Sequence, residues 1–120
     1  MFSHARRLSW SGHKSGLEVD LSAINDPAVE IGVPGGNALL DLVDAVLKGS
    51  DADINAARER VIEQLGPDAF VDAAAVFGNF EMMNRVAEGT GVPVAPQALE
   101  READMVRSLG LDRVIKNQQS

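Results

Sequence analysis

The chain has 120 residues, of which 45% are hydrophobic and 24% are charged, and this composition is typical of one globular domain. Its net charge of −7 argues against nucleic acid as a partner, because phosphate binding needs clustered basic side chains. The sequence contains no cysteine, which excludes disulfide bonds. We identify no apolar run of membrane-spanning length and no secretory segment, so we expect a soluble, cytoplasmic protein.

The first 36 residues differ in pattern from the rest, and we expect them to form an extended N-terminal arm. Leu17, Val19 and Leu21 alternate with acidic residues, the period of a strand, which allows a short β-hairpin in this arm. Residues 1–16 carry three basic residues and no carboxylate, whereas residues 17–120 carry the other eight basic residues and all 18 acidic ones. The arm is therefore either a solvated terminus, which we favour, or a segment that docks on an acidic surface, such as that of a second subunit.

From Asn37 onward the apolar residues recur at helical spacing. We therefore predict an all-α domain over residues 37–115, a bundle of about four helices. The first two helices cover 37–48 and about 51–65, and the second is capped by Ser50 or by an aspartate just after it.

The third predicted helix, from Pro67 to about Glu88, is the central element of the domain. Its apolar residues lie along two nearly adjacent lines, which implies burial on more than one side. A last helix is predicted over residues 96–110, and residues 116–120 are expected to fray. The predicted core consists of Leu40, Val43, Leu47, Ile62, Leu65, Phe70, Phe77, Val86, Val106 and Leu109.

A long stretch of the predicted third helix is similar to a known family. Residues 66–94, GPDAFVDAAAVFGNFEMMNRVAEGTGVPV, resemble the helix that follows the active-site helix in AhpD-like and carboxymuconolactone decarboxylase-like proteins. The order of the helices, the Asn84-Arg85 pair and the Gly-Val-Pro at 91–93 extend this similarity to the peroxidase-related branch over about residues 37–114. The resemblance implies an all-helical subunit that assembles into homo-oligomers.

Peroxidase members of that family work through a Cys-x-x-Cys pair with a nearby histidine. Because the chain has no cysteine, no catalytic residue is carried over, and thiol peroxidase activity is excluded. His4 and His13 are the only histidines, and no thiol or carboxylate accompanies them at ligand spacing, so we predict no metal and no cofactor.

Four polar residues on the otherwise apolar central helix are the ligand-binding candidates: Asn79, Glu81, Asn84 and Arg85. Glu81 and Arg85 are four residues apart in the acid-first order, so an ion pair on the helix surface accounts for them, and we favour this interpretation. The alternative is that a few polar groups in an apolar wall form a small-molecule pocket.

Two functions are consistent with these patterns. We favour a non-catalytic homo-oligomeric module that binds a small apolar or aromatic molecule or acts as a scaffold. The alternative is an enzyme of the carboxymuconolactone decarboxylase type, in which Glu81, Arg85 and a histidine of the arm act as acid/base groups in place of thiols.

Overall fold

A computed structural model describes residues 2–112, which form six α-helices and one 3₁₀ helix and include no β-strand. The predicted all-α class is confirmed. In chain order the helices are α1 (Phe2–Lys14), α2 (Gly36–Lys48), α3 (Asp51–Leu65), α4 (Pro67–Thr90), α5 (Pro96–Arg101) and α6 (Ala103–Ser108), with the 3₁₀ helix at Leu21–Ile24. None of the described helices is both long and apolar enough to cross a bilayer.

The described chain divides into two compact units. Pro34–Val92 forms the first, here called the central unit, which contains α2, α3 and α4. Residues 2–33 and 93–112 form the second, here called the terminal unit, with α1, α5 and α6. This division groups residues 93–112 with the N-terminal residues, whereas the sequence pattern groups them with 37–92. The tail predicted at 116–120 lies outside the described residues.

The core of the central unit is formed where α2 packs against α3. Its buried residues are Ala38, Leu42, Ala45, Ala57 and Val61. The α2 members lie three or four residues apart, as do the α3 members, so each set occupies one helical face. Most of these side chains are small, which lets the two backbones approach closely. Val61 is fully buried, at 0% exposure.

The N-terminus of α3 is fixed by a reciprocal cap. The Ser50 hydroxyl accepts a hydrogen bond from the Asp53 backbone N–H at 3.3 Å, and the Asp53 carboxylate accepts one from the Ser50 backbone N–H at 2.8 Å. The Ser50 hydroxyl also donates to this carboxylate at 2.7 Å. Side-chain and then backbone hydrogen bonds from Ser50 lower the pKa of Asp53 below its ordinary value. Of the predicted cap residues, Ser50 is the one that caps α3 in the structure.

The predicted core is right in part. Val106 and Leu109 are buried in the terminal unit, and Leu40, Val43, Leu65, Phe70 and Phe77 are half-buried. Leu47, Ile62 and Val86 are exposed, so their assignment to the core is wrong. On α2 the alanine-containing face packs against α3, which leaves much of the larger apolar stripe outside the core.

The first part of the N-terminal arm is helical and not extended. Residues 2–14 form α1, so the prediction of an extended arm and of a hairpin is wrong for this segment. Ala5 and Gly12, both buried, lie on one side of the helix with the half-buried Leu8. A Cβ on Gly12 would lie 2.2 Å from Cγ2 of Val19, so this position requires glycine for close packing. The serines and the glycine, which suggest a turn when only the sequence is considered, therefore belong to a tightly packed helix.

The predicted last helix is divided in two. α5 ends at Arg101 and α6 starts at Ala103, because Glu102 leaves the helical conformation, with φ −107° and ψ 20°. The Glu102 carboxylate accepts a hydrogen bond from Nη1 of Arg6 at 2.6 Å and another from Nε of Arg101 at 3.2 Å. This glutamate thus connects α1 to the break between α5 and α6.

Candidate functional site

α4 is the longest described helix, with 24 residues, and none of its residues is buried. Its side chains include large apolar groups with high exposure, such as Val71 at 62%, Val76 at 56% and Val86 at 59%. An isolated exposed apolar residue is normal, but a series of them along one helix is typical of an interaction surface. We therefore take α4 as the element that positions a functional site.

The apolar residues of α4 point in three directions. Phe70 packs against the α2–α3 core. Val76 and Phe80 are four residues apart and face α2 across a groove. The third side carries Val71, Ala75, Gly78, Met82 and Val86, all exposed, and we call it the outer face of α4. Only the first of these directions is covered within the central unit.

The groove between α2 and α4 has a volume of about 470 Å³. From α2, Leu39, Leu42 and Val43 form its wall. From α4 it is lined by Asp72, Ala73, Val76, Phe77 and Phe80. Small-molecule sites typically measure roughly 300–1,000 Å³ and have mainly apolar walls with few polar groups. The groove has the size and the lining of such a site.

Asp72 is the one charged residue that lines the groove. It lies at the exposed edge, and within residues 2–112 its carboxylate has no ion-pair or hydrogen-bond partner. Asp72, Val76 and Phe80 are spaced by four residues, so they follow one line of α4. The groove therefore presents a carboxylate toward one end of α4 and an aromatic ring further along it.

The four predicted site residues lie near the C-terminal half of α4 and do not line the groove. Arg85 is 3.5 Å from the Glu81 carboxylate and 2.7 Å from that of Glu88. Asn84 donates a hydrogen bond to Glu81 at 3.3 Å. Asn79, Asn84 and Arg85 are exposed. This geometry is that of the ion pair on a helix surface, and a ligand at these residues stays a prediction.

The two histidines lie on α1 in the terminal unit, and both are exposed. Residues 2–112 contain no group of three or more histidine, aspartate or glutamate side chains arranged to hold a metal ion. Trp10, also on α1, has the Lys14 ammonium group 4.8 Å from its ring centre, a cation–π contact. The described part of α1 offers charged and aromatic groups without a ligand cluster.

Two further recesses are more polar than the groove. One, of about 350 Å³, lies between α2 and α3, where Arg60 forms an ion pair with Asp41. The other, of about 570 Å³, lies in the terminal unit beside Asp20. There the side chain and then the backbone of Ser22 donate hydrogen bonds that lower the Asp20 pKa, as expected of a helix cap. The polar groups of both recesses are thus explained by local structure.

The sequence prediction missed Asp72 and the α2 side of the groove. Part of the signal was the presence of two apolar lines on α4, which implied burial on more than one side of this helix. Neither line contains Asp72, which lies one turn before Val76 on a third line of the helix, so a charge that continues into apolar residues at a spacing of four was the signal for it. The position of Leu39 and Val43 opposite α4 could not be predicted from the sequence, because it depends on the angle between the two helices.

Comparisons with known proteins give no relative: no family model, no curated protein and no solved structure matches the chain. The resemblance of residues 66–94 to AhpD-like proteins therefore stays a prediction. The function is inferred from the residues and geometry of the chain itself.

Proposed function

We propose that this chain is a non-catalytic, homo-oligomeric helical module that binds a small apolar or aromatic molecule in the groove between α2 and α4. The observation that carries the proposal is the groove itself. Its lining includes two phenylalanines and four further large or medium apolar side chains, from Leu39, Leu42, Val43 and Val76, and a single carboxylate. Burial of apolar ligand surface against such walls is favourable by roughly 25 cal/mol per Å² before the costs of association.

A catalytic role of the polar residues on α4 has less support than the binding role of the groove. Arg85 forms ion pairs with Glu81 and Glu88. Two of the acid/base groups that the alternative enzyme requires, Glu81 and Arg85, are therefore already paired with each other. The Arg85 side chain is also 70% exposed, whereas a group prepared for proton transfer is usually held in a cleft that excludes water. These features favour the binding module over a carboxymuconolactone decarboxylase-type enzyme.

Homo-oligomerisation is proposed from the outer face of α4. Val71, Met82 and Val86 share this face and are each about three-fifths exposed. Ala75 and Gly78 lie between them, and a Cβ at Gly78 would meet nothing within 4 Å, so the backbone is accessible to a close neighbour. A second copy of the chain is the commonest partner for such a surface, since most soluble oligomers are symmetric.

The finer fold assignment is part of the same proposal. We propose that α2, α3 and α4 correspond to the C-terminal helices of an AhpD-like bundle that has lost its thiols. The support is the order of the three helices, the Ser50 cap, and Asn84-Arg85 on a helix that ends at Gly91, which has φ 66°. The terminal unit would then replace the active-site region of that family.

The binding proposal is tested with a neutral aromatic probe, naphthalen-2-ylmethanol, titrated by isothermal calorimetry or by NMR. The wild type is expected to bind it, and Val76→Lys is expected to abolish binding because a lysine side chain fills the groove with a long polar group.

Val46→Lys is the matched control. It makes the same change at an exposed position of α2, 44% against 56%, but Val46 neither lines the groove nor lies on the outer face of α4. Binding should survive in this variant. Equal loss in both variants, or no binding by the wild type, would contradict the assignment of the groove.

A further inference from the structure

We infer that the ligand of the α2–α4 groove is a cation: an amine or quaternary ammonium compound with an apolar or aromatic body. This inference rests on the proposed binding function and adds the charge and the orientation of the ligand. It depends on the position of Asp72, on the charge of the central unit and on the aromatic rings in the groove.

Asp72 has no counter-ion among the described residues. α4 carries four carboxylates, from Asp68, Asp72, Glu81 and Glu88, and its only basic residue is Arg85. Arg85 is paired with the latter two. Asp72 is the one carboxylate that lines the groove, and no basic residue lines it. A bound cation would therefore meet a carboxylate that no described side chain neutralises.

The electrostatic potential of the whole central unit favours the same ligand. Pro34–Val92 contains ten acidic and four basic residues, a net charge of −6. The summed field of such a unit attracts cations and repels anions before any contact is made. A cationic ligand is favoured over a neutral one of the same shape, and a neutral one over an anion.

The spacing along α4 sets where the two parts of the ligand lie. Asp72 precedes Phe80 by eight residues on one line of α4, a rise of about 12 Å. Val76 lies between them on the same line and lines the groove with them. An ammonium group at Asp72 therefore places the attached apolar body along Val76 toward Phe77 and Phe80.

The test compares three probes of nearly the same shape: naphthalen-2-ylmethylamine as the cation, naphthalen-2-ylmethanol as the neutral compound and 2-naphthoate as the anion. In the wild type, at low salt and neutral pH, the amine should bind roughly three- to tenfold more tightly than the alcohol, and the naphthoate most weakly. Added salt should reduce the difference, because the carboxylate is exposed.

Asp72→Asn keeps the size of the side chain and removes the charge. In this variant the amine should bind about as tightly as the alcohol. The affinity for the alcohol itself should not change. Asp68→Asn is the matched control: it removes a carboxylate one turn earlier on α4 that does not line the groove, and it should retain most of the preference.

The outcomes separate this inference from the proposed function. Equal binding of the three probes, tighter binding of the naphthoate, or an unchanged preference in Asp72→Asn would overturn the inference while the groove remained a binding site. No binding of any probe by the wild type would overturn the proposed function and the inference together.

Discussion

The α2–α3 pair and the helix α4 have similar amino acids but differ in how far their apolar side chains are buried. Both regions are rich in alanine and in medium-sized apolar residues. In the α2–α3 pair, alanines and Val61 meet across a tight interface and are buried. In α4, alanines, Gly78 and several valines and methionines are exposed, and the helix has no buried residue.

The difference shows that apolar composition does not by itself identify a core. A position is buried when a second element approaches it, and α4 has more apolar faces than the central unit has elements to cover them. The excess faces form the groove toward α2 and the outer face. We propose that they are completed by a ligand and by a second copy, respectively.

The largest expected effect comes from one substitution made in both regions. Val61→Ala removes buried methyl groups and leaves a cavity, so it should lower the free energy of unfolding by about 2–3 kcal/mol. Val86→Ala makes the same change at 59% exposure, and it should alter the stability of the monomer by no more than about 0.5 kcal/mol. Urea unfolding followed by circular dichroism measures both. Equal losses would remove the distinction between the two regions.

A second comparison uses two glycines. Gly35 has φ 68°, and a Cβ there would lie 2.6 Å from Cδ2 of Leu65, so Gly35→Ala should destabilise the central unit by about 1 kcal/mol or more. Gly78 lies in the middle of α4, where an added Cβ would meet nothing within 4 Å, so Gly78→Ala should increase helix stability by about 0.5–1 kcal/mol. Thermal unfolding at a concentration where the chain is monomeric should give shifts of opposite sign. Shifts of the same sign would contradict the contrast between a crowded and an open position.

The smallest effect concerns the cap of α3. Ser50→Ala removes the hydroxyl of the capping box and should cost about 1 kcal/mol. The folded pKa of Asp53 is lowered from 3.8, so its contribution to stability is present above that value and is lost as the pH falls through the folded pKa. The unfolding midpoint should therefore depend on pH below about pH 4 in the wild type, and less so in Ser50→Ala. An identical pH dependence in both proteins would show that the cap does not set this pKa.

The positions of α2, α3 and α4 were predictable from the sequence because they depend on local chemistry. The Ser50 cap, Pro67 at the start of α4 and the spacing of Val106 and Leu109 all follow from residues close in the chain. The choice of buried face was not predictable in the same way. α2 offers both an alanine face and a larger leucine and valine face, and only the approach of α3 decides between them.

The candidate site was likewise predictable only in part. The two apolar lines of α4 indicated more than one contact surface on this helix. Glu81 and Arg85 form the ion pair on the helix surface that the pattern favoured, and a ligand at the four polar residues stays a prediction. Asp72 is a candidate site residue only because α2 forms the other wall of the groove, and the sequence near Asp72 does not show that α2 lies there. The helical character of α1 was missed because its small residues, such as Gly12, also occur in turns.

Sedimentation equilibrium of the wild type at micromolar concentration is the most direct test of the claim that α4 is completed from outside the chain. We expect an oligomer for the wild type and a monomer for Met82→Lys, which places a charge on the outer face. Gln64→Lys, which places a lysine at an exposed position of α3, should remain oligomeric. A monomeric wild type, or an oligomer that Met82→Lys leaves intact, would contradict the claim.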